Sequence, residues 1–124
     1  RNTGYFQRPG LFLGATNQMQ TSREEIFGPV ASVIKVADFD EAVATANDTN
    51  FGLSSAICTQ SLFYAREFKR RSEAGMAMVN LPTAGVDYHV PFGGRKSSSY
   101  GSREQGRDAI DFYTTTKTTY SFSG

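Results

Sequence analysis

The chain has 124 residues, enough for one domain with a modest hydrophobic core, and ten Phe and six Tyr supply large apolar side chains for it. Its 13 basic and 12 acidic residues leave a net charge of +1, which gives no electrostatic basis for binding nucleic acid. No apolar run approaches the roughly 20 residues of a membrane span, and the single Cys58 excludes an internal disulfide and suits a reducing compartment, so we expect a cytoplasmic protein.

The first elements along the chain are predicted to be short and extended. Two aromatic runs within residues 4–14 are separated by a Pro-Gly pair, which indicates a turn. Further on, Gly28 and Pro29 mark the entry to a strand, because Pro fixes φ and donates no hydrogen bond to a ladder. The β-branched run over 31–36 then predicts a buried strand.

Two acidic residues, Glu24 and Glu25, lie just before this strand and are therefore expected at the mouth of a sheet. In open α/β sheets, ligands bind at the carboxyl ends of strands, and a carboxylate that accepts from two vicinal hydroxyls suits a ribose. The alternative that the residues allow is a pair of solvated acids without a role.

Two helices with recognisable N-caps follow. Asp38 and Glu41 form a capping-box pattern at the start of the first helix. Ser61 is expected to cap the second helix, predicted over 62–74, with Gly75 just after its end. The side chains expected to face inward from the second helix are those of Leu62, Ala65 and Phe68.

Two further strands alternate with these helices, one over 53–59, expected to be buried on both faces, and one over 76–80. Short connections between alternating strands and helices require parallel pairing through right-handed crossovers. The predicted fold class is therefore α/β, with a parallel βαβαβ segment of a doubly wound sheet.

The C-terminal part of the chain leaves this alternating pattern. Residues 81–100 are predicted to form a long loop, and a loop of that length inside a domain is usually functional. Ser102 is expected to cap a third helix. Residues 114–122 have strand propensity but few apolar side chains, so this segment either pairs with another subunit or frays. The chain is accordingly divided into a domain over 1–113 and a tail over 114–124.

Several groups that invite a chemical role have simpler explanations. Cys58 lies among small apolar residues with no neighbouring base, so we expect a buried thiol rather than a nucleophile. His89, the single His, has no identifiable partner and is expected to be structural. The glycines before Lys96 do not form a P-loop, because Arg95 stands where that motif has Gly. Residues 69–71 are interpreted as a solvated helix end. No catalytic residue and no metal ligand is predicted.

Two motifs resemble signatures of the NAD(P)-dependent aldehyde dehydrogenases. They are Glu-Glu-Ile-Phe-Gly-Pro-Val at 24–30 and Pro-Phe-Gly-Gly-Arg-Lys at 91–96. The likeness extends from Gly4 to about Tyr120, with the elements in family order. It implies that residues 1–113 are the C-terminal part of that family's catalytic domain and that 114–124 are an oligomerisation strand.

The resemblance also implies site residues. Glu25 would accept hydrogen bonds from the nicotinamide ribose of NAD or NADP, Phe27 would pack beside the nicotinamide, and Phe92 would line the substrate channel. The family's nucleophilic Cys and its catalytic Glu lie upstream of the motif that contains Glu25. The chain is therefore expected to be an inactive fragment of a homo-oligomeric enzyme that oxidises a small aldehyde, with neither nucleic acid nor membrane as partner.

The nearest resemblance within the family, over 81–90 and 98–107, is to the 2-oxoglutarate semialdehyde (2,5-dioxopentanoate) dehydrogenases. Their substrate is acidic and would need a cationic partner, for which Arg95 and Arg103 are the nearby options. The alternative function is a non-catalytic βαβαβ assembly module that associates with itself through uncovered strand faces.

Overall fold

The computed structural model describes residues 3–124; Arg1 and Asn2, the first two residues of the predicted domain over 1–113, lie outside the described residues. The elements, in chain order, are β1 (Gly10–Leu13), α1 (Gln20–Arg23), β2 (Val30–Val33), α2 (Phe39–Asn47), β3 (Ser54–Ile57), α3 (Leu62–Arg71), β4 (Met76–Val79), two 3-10 turns (Lys96–Ser98 and Gly106–Asp108) and α4 (Ala109–Tyr113).

The strands form two parallel pairs, which confirms the predicted α/β class. β3 and β4 pair in parallel and are joined by α3 in a βαβ unit. β2 pairs with β1, so within residues 3–124 the predicted βαβαβ segment is divided between two sheets. The Pro-Gly pair predicted to form a turn instead starts β1, where the amide of Gly10 donates to the carbonyl of Pro29 at 2.9 Å.

Both predicted helix starts are confirmed. The amide of Glu41 donates to Asp38 Oδ1 at 2.9 Å, and the Glu41 carboxylate accepts from the amide of Ala37 at 2.6 Å, which completes the capping box one residue outside the helix. Ser61 Oγ accepts from the amide of Tyr64 at 3.3 Å. α3 ends earlier than predicted, since Ser72 is already extended, and Gly75 is therefore not its C′ residue.

The expected burial of the strands is wrong for this chain. Among the described residues, the buried apolar side chains are those of Ala15, Val43 and Phe68. β1 is exposed along its whole length, β2 along all but its first residue, and Leu62, expected to face inward, is 89% exposed. Sequence periodicity identifies an apolar face but not the element that covers it, and no described element covers both faces of either sheet.

α2 and α3 pack against each other through one aromatic and cationic cluster. The rings of Phe39 and Tyr64 lie 4.7 Å apart between centroids. The guanidinium of Arg71 lies 5.4 Å from the Phe39 centroid and pairs with the Asp40 carboxylate. Two of the cations at the end of α3 are thus engaged within the chain, because Arg70 pairs with Glu67 at 2.6 Å.

The C-terminal part differs from the predicted helix start. Ser102 does not cap a helix; instead Glu104 and Phe92 exchange two backbone hydrogen bonds, and Gln105 adopts a positive φ of 62°. This antiparallel bridge keeps the chain extended, so α4 begins only at Ala109. Residues 114–124 are exposed and pair with no strand of the described residues. No helix among residues 3–124 is long and apolar enough to cross a membrane.

Candidate functional site

The three sequence-predicted site residues lie on two loops. Glu25 is exposed between α1 and β2 and lines a cleft of about 310 Å³. Phe27 follows it with a φ of 55° and a side chain that is 93% exposed. Phe92, half-buried, lies on the long loop before the first 3-10 turn. Glu25 is the one of the three that lines this cleft, so the chain does not gather them into one pocket.

The cleft lies at the amino ends of β3 and β4. Its lining includes the residues that enter these strands, Gly52–Ser55 and Ser72–Ala74. The expectation that Glu25 lies at the carboxyl end of a sheet is therefore wrong for this chain. A carboxylate that precedes its strand lies at that strand's amino end, so the ribose role of Glu25 depends on the motif and not on the strand-end rule.

The segment before Glu25 is attached to the end of α2 by a charged cluster. Arg23 donates from Nη2 to Asp48 Oδ2 at 2.8 Å and from Nη1 to the Asp48 carbonyl at 2.8 Å. Asn17 Nδ2 donates to the same Asp48 carboxylate at 3.0 Å. These hydrogen bonds, that from Arg23 first, hold the pKa of Asp48 below its usual range. Sequence analysis gave neither Arg23 nor Asp48 a role.

The loop motif 91–96 is attached to the same helix end by Lys96. Its Nζ donates to the carbonyls of Asn47, at 2.6 Å, and Thr49, at 3.1 Å, and forms an ion pair with Glu73 at 2.6 Å. A cation at the last carbonyls of a helix is favoured by the helix dipole. The lysine of the motif therefore serves as a structural contact of the loop.

The glycines of the motif allow a close approach, but to this chain's own backbone. A Cβ on Gly75 would lie 2.1 Å from the carbonyl oxygen of Gly93 and 2.7 Å from the Cα of Gly94. Gly52 joins the same crossing, because its carbonyl accepts from the amides of Gly75, at 2.8 Å, and Arg95, at 2.9 Å. A side chain at position 75 therefore does not fit without displacing the loop.

Phe92, the residue before Gly93, is held by backbone hydrogen bonds to Glu104. Its amide donates to the Glu104 carbonyl at 2.7 Å and its carbonyl accepts from the Glu104 amide at 2.8 Å. Arg103 Nη1 donates to the Gly94 carbonyl at 3.0 Å, so this guanidinium supports the loop. The side chain of Arg95 has no ion pair or hydrogen bond with the residues that the structure describes, so it is the freer of the two arginines.

Neither Cys58 nor His89 is part of a reactive cluster. Cys58 is exposed, which corrects the expectation of a buried thiol; it follows β3, and this sheet has an uncovered side. His89 has an edge-on ring contact with Tyr88, 5.5 Å between centroids, and no hydrogen bond from its ring to the described residues. Within residues 3–124 no group of His, Cys, Asp and Glu side chains is placed to hold a metal ion.

Comparisons with known proteins agree in one family. The aldehyde dehydrogenase family model matches residues 1–119. An alpha-ketoglutarate semialdehyde dehydrogenase of Haloferax volcanii is 48% identical over 119 residues, which are 95% of this chain and 25% of that protein. A 2,5-dioxopentanoate dehydrogenase of Saccharolobus solfataricus is 42% identical over 118 residues, 94% of this chain and 25% of that protein.

Solved structures give the same result. The chain superposes with a TM-score of 0.80 and 41% identity on a mutant of aldehyde dehydrogenase C of Pseudomonas syringae in complex with NAD+ and octanal. The superposition covers 89% of this chain and 22% of that one. The chain spans about a quarter of the length of the curated relatives it matches.

Proposed function

The chain belongs to the aldehyde dehydrogenase family, and on that premise we propose that it forms part of the catalytic domain of an enzyme that oxidises an aldehyde to a carboxylic acid with NAD or NADP. The observation that carries this proposal is the family match over nearly the whole chain, which confirms the resemblance indicated by the two motifs. The structural neighbour in complex with NAD+ and octanal supports the same reaction class.

Glu25 is proposed as the cofactor contact of this chain. Its carboxylate is exposed and makes no ion pair or hydrogen bond with the described residues. Such a carboxylate can accept hydrogen bonds from both vicinal hydroxyls of a ribose, which fits the role that the motif implies. Phe27, with its exposed ring, would pack beside the nicotinamide, and the half-buried Phe92 would line the path of the aldehyde.

The catalytic nucleophile and base are proposed to lie outside this chain. Covalent aldehyde oxidation needs a thiolate with an adjacent activating group. Cys58 forms no hydrogen bond or ion pair with a His or a cation among the described residues, and no other Cys is present. The 124-residue chain by itself is therefore expected to reduce neither NAD nor NADP when mixed with an aldehyde, and a steady rise in absorbance of reduced cofactor would contradict this.

An acidic oxo-aldehyde, 2-oxoglutarate semialdehyde, is the proposed substrate. Two relatives that carry this activity in their names are 48% and 42% identical to the chain. Its carboxylate needs a cation, and Arg95 is the freer of the two candidates because Arg103 is committed to the Gly94 carbonyl.

The presence of a single Cys in the chain supports a reducing compartment, and a cytoplasmic location is part of the proposal.

The test uses the complete polypeptide that carries these residues. Reduction of NAD is measured with 2-oxoglutarate semialdehyde and with an uncharged aldehyde of similar length. In Glu25→Gln we expect kcat/KM for NAD to fall by about tenfold or more, because a charge-assisted hydrogen bond is replaced by a neutral one. Glu24→Gln is the matched control and should stay close to wild type.

Each outcome bears on a different part of the proposal. Unchanged kinetics in Glu25→Gln would remove this residue from the cofactor site, whereas no aldehyde-dependent NAD reduction by the wild type would overturn the enzyme assignment. Equal kcat/KM for the two aldehydes would remove the acidic substrate from the proposal.

A second candidate function, self-association, is supported by the exposed tail. Tyr120 and Phe122 are each 95% exposed on an extended segment, and the strand faces are uncovered. We propose that residues 114–124 pair with a second copy of the protein, in a homo-oligomer. Light scattering should show the complete polypeptide as an oligomer and a variant without 114–124 as a smaller species; a stable monomer at high concentration would contradict this.

A further inference from the structure

Asn47, the last residue of α2, and the two residues after it, 48–49, hold two loops that are far apart in the sequence; we call residues 47–49 the α2 terminus. One loop is the segment 23–27, which carries Glu25, and the other is 92–98, which carries Phe92. Both of these side chains are assigned to ligands by the proposed function, so the inference about the α2 terminus rests on that proposal.

The first attachment is a bidentate ion pair with an added amide. Arg23 contacts the Asp48 carboxylate with both terminal nitrogens, at 3.2 and 2.8 Å, and the Asp48 carbonyl at 2.8 Å. Asn17 adds a contact from Nδ2 to the carbonyl of Thr45 at 3.0 Å. A planar guanidinium held by two oxygens of a carboxylate has a defined direction, so the backbone leading to Glu25 is fixed relative to α2.

The second attachment is made by one ammonium group with three acceptors. Lys96 Nζ lies 2.6 Å from the Asn47 carbonyl, 3.1 Å from the Thr49 carbonyl and 2.6 Å from Glu73 Oε2. An ammonium has three N–H donors, so each has an acceptor here. The amide of Ser97 adds a backbone contact to the Asn50 carbonyl at 2.9 Å, just beyond the α2 terminus.

The α2 terminus is itself tied to α3, which gives the two attachments a firm base. Asn47 Nδ2 donates to the Arg71 carbonyl at 2.9 Å, and its Oδ1 accepts from the amide of Glu73 at 3.0 Å. The same Glu73 pairs with Lys96, and Lys96 donates to the Asn47 carbonyl, so Asn47, Glu73 and Lys96 form a closed ring of contacts. Side chains in one such network act together and do not add independently.

We infer that the α2 terminus is a shared anchor that sets the position of the Glu25 loop relative to the Phe92 loop, with Asp48 and Lys96 as positioning residues. The proposed function assigns neither residue a ligand contact. Asp48 holds the loop of Glu25 through its carboxylate and its carbonyl. Lys96 holds the loop of Phe92 by donating to the carbonyls of the α2 terminus. The distance between Glu25 and Phe92 is thereby set at the amino ends of β3 and β4.

A shared anchor predicts that loosening one loop is felt in the other. The amide of Glu24, which donates to the Gln20 carbonyl at 2.9 Å, reports on the first loop, and the amide of Ser97 reports on the second. In the complete polypeptide, Lys96→Met should raise hydrogen exchange at both amides by about tenfold. Asp48→Ala should raise both exchange rates to the same extent. In the double variant, both rates should be no more than about twofold higher than in either single variant.

Two surface substitutions serve as matched controls. Lys69 is an exposed lysine of α3, and Asp111 is an exposed aspartate of α4; neither forms an ion pair with the residues that the structure describes. Lys69→Met and Asp111→Ala should leave exchange at the Glu24 and Ser97 amides within about twofold of wild type. A rise of the same size in these controls would attribute the effect to general destabilisation and overturn the inference.

Kinetics separate this inference from the proposed function. In an active enzyme, each single variant should raise KM for both NAD and the aldehyde by about tenfold and leave kcat closer to wild type, because positioning of both ligands is affected together. Wild-type enzyme without aldehyde oxidation would defeat the proposed function, and the exchange measurement would still decide the anchor.

The result that overturns the inference is independence. If Lys96→Met raises exchange only at Ser97 and Asp48→Ala only at Glu24, the two attachments are separate and no anchor is shared. Should Lys96→Met not fold, Arg23→Met loosens the first loop from its other side. It should raise exchange at Ser97 as well as at Glu24, and an unchanged Ser97 amide would reject the inference equally.

Discussion

The carbonyl oxygen of Gly93 lies against Gly75 so closely that a Cβ on Gly75 would fall 2.1 Å from it. The same Cβ would lie 2.5 Å from Arg103 Nη1. The loop that carries Phe92 therefore crosses the entry to β4 at backbone contact, and this crossing is where the loop and the sheet are joined.

Gly75→Ala should be strongly destabilising because the nearest atom, the carbonyl oxygen of Gly93, belongs to the backbone and cannot move without displacing the loop. We expect a loss of about 3 kcal/mol or more in the free energy of unfolding, at the upper end of overpacking costs. Chemical denaturation of the protein measures this. Gly10→Ala is the matched control: its Cβ would lie 3.5 Å from Val30 Cγ1, an ordinary contact, and we expect a change below about 1 kcal/mol. Equal losses in the two variants would show that the crossing does not constrain Gly75.

Substitutions in α3 should destabilise the fold strongly at the buried Phe68 and only slightly at the exposed Leu62, the first residue of the helix. Phe68 is 6% exposed, so Phe68→Ala should cost about 3–5 kcal/mol in denaturation of the 124-residue chain. Leu62→Ala, on the same helix, should cost no more than about 0.5 kcal/mol there, because this side chain is exposed. If Leu62→Ala is as costly as Phe68→Ala in that chain, α3 does not turn Phe68 inward and Leu62 outward in solution.

Asn80 closes the carboxyl ends of β3 and β4 with a reciprocal amide contact. Its Nδ2 donates to the Thr59 carbonyl at 2.8 Å, and its Oδ1 accepts from the Thr59 amide at 2.8 Å. The residue has a φ of 56°, a left-handed conformation that Asn adopts more readily than Ala. Asn80→Gly should lose about 1–3 kcal/mol from the two hydrogen bonds.

Asn80→Ala should lose a further ~1 kcal/mol, because the left-handed backbone becomes strained. The two variants are compared with wild type by urea denaturation at one pH. A Gly variant less stable than the Ala variant would indicate that the backbone changes its conformation when the side-chain contacts are lost.

The Arg23–Asp48 pair should give a signature in acid. The pKa of Asp48 is lowered, chiefly by the hydrogen bond from Arg23 and then by that from Asn17. A carboxylate whose pKa is lower in the folded than in the unfolded chain stabilises the fold at pH values above its unfolded pKa, about 3.9. This stabilisation is lost as the pH falls through the lower pKa of the folded chain. Carboxyl NMR titration should therefore show Asp48 protonating below about pH 3.9.

Arg23→Met removes the principal cause of this shift, so the pKa of Asp48 should move upward in that variant. Wild-type Asp48 titrating at the ordinary value, or no upward movement in Arg23→Met, would show that the ion pair does not persist in solution. Because the pair is exposed, its effect on overall stability should be small.

The features that sequence predicted best are those decided within a few residues. The caps at Asp38 and Ser61 depend on a side chain and an amide three positions away, so local pattern was sufficient. The parallel α/β class followed from the alternation of strands and helices. The inward position of Leu62 and the burial of Cys58 were wrong, because burial depends on what lies opposite, and sequence periodicity does not carry that information.

The candidate site was predictable only in its motifs. Glu25, Phe27 and Phe92 remain predictions of the resemblance, and the strand-end argument for Glu25 placed it at the wrong end of the sheet. The contacts that fix the loops could not be predicted because they join residues distant in sequence, such as Lys96 and Asn47. The local sequence Gly-Gly-Arg-Lys at 93–96 gives no sign that the partner of its lysine is a helix end.

The contacts of the Lys96 ammonium have a chemical consequence for the proposed oxidation of an aldehyde. Its three N–H groups meet three oxygens, and the side chain is 27% exposed. Condensation with an aldehyde to an imine requires a free amine lone pair, so Lys96 must first lose one proton and, with it, one of these three contacts. A lysine held in this way can lie beside a reactive electrophile through many encounters without being consumed by it.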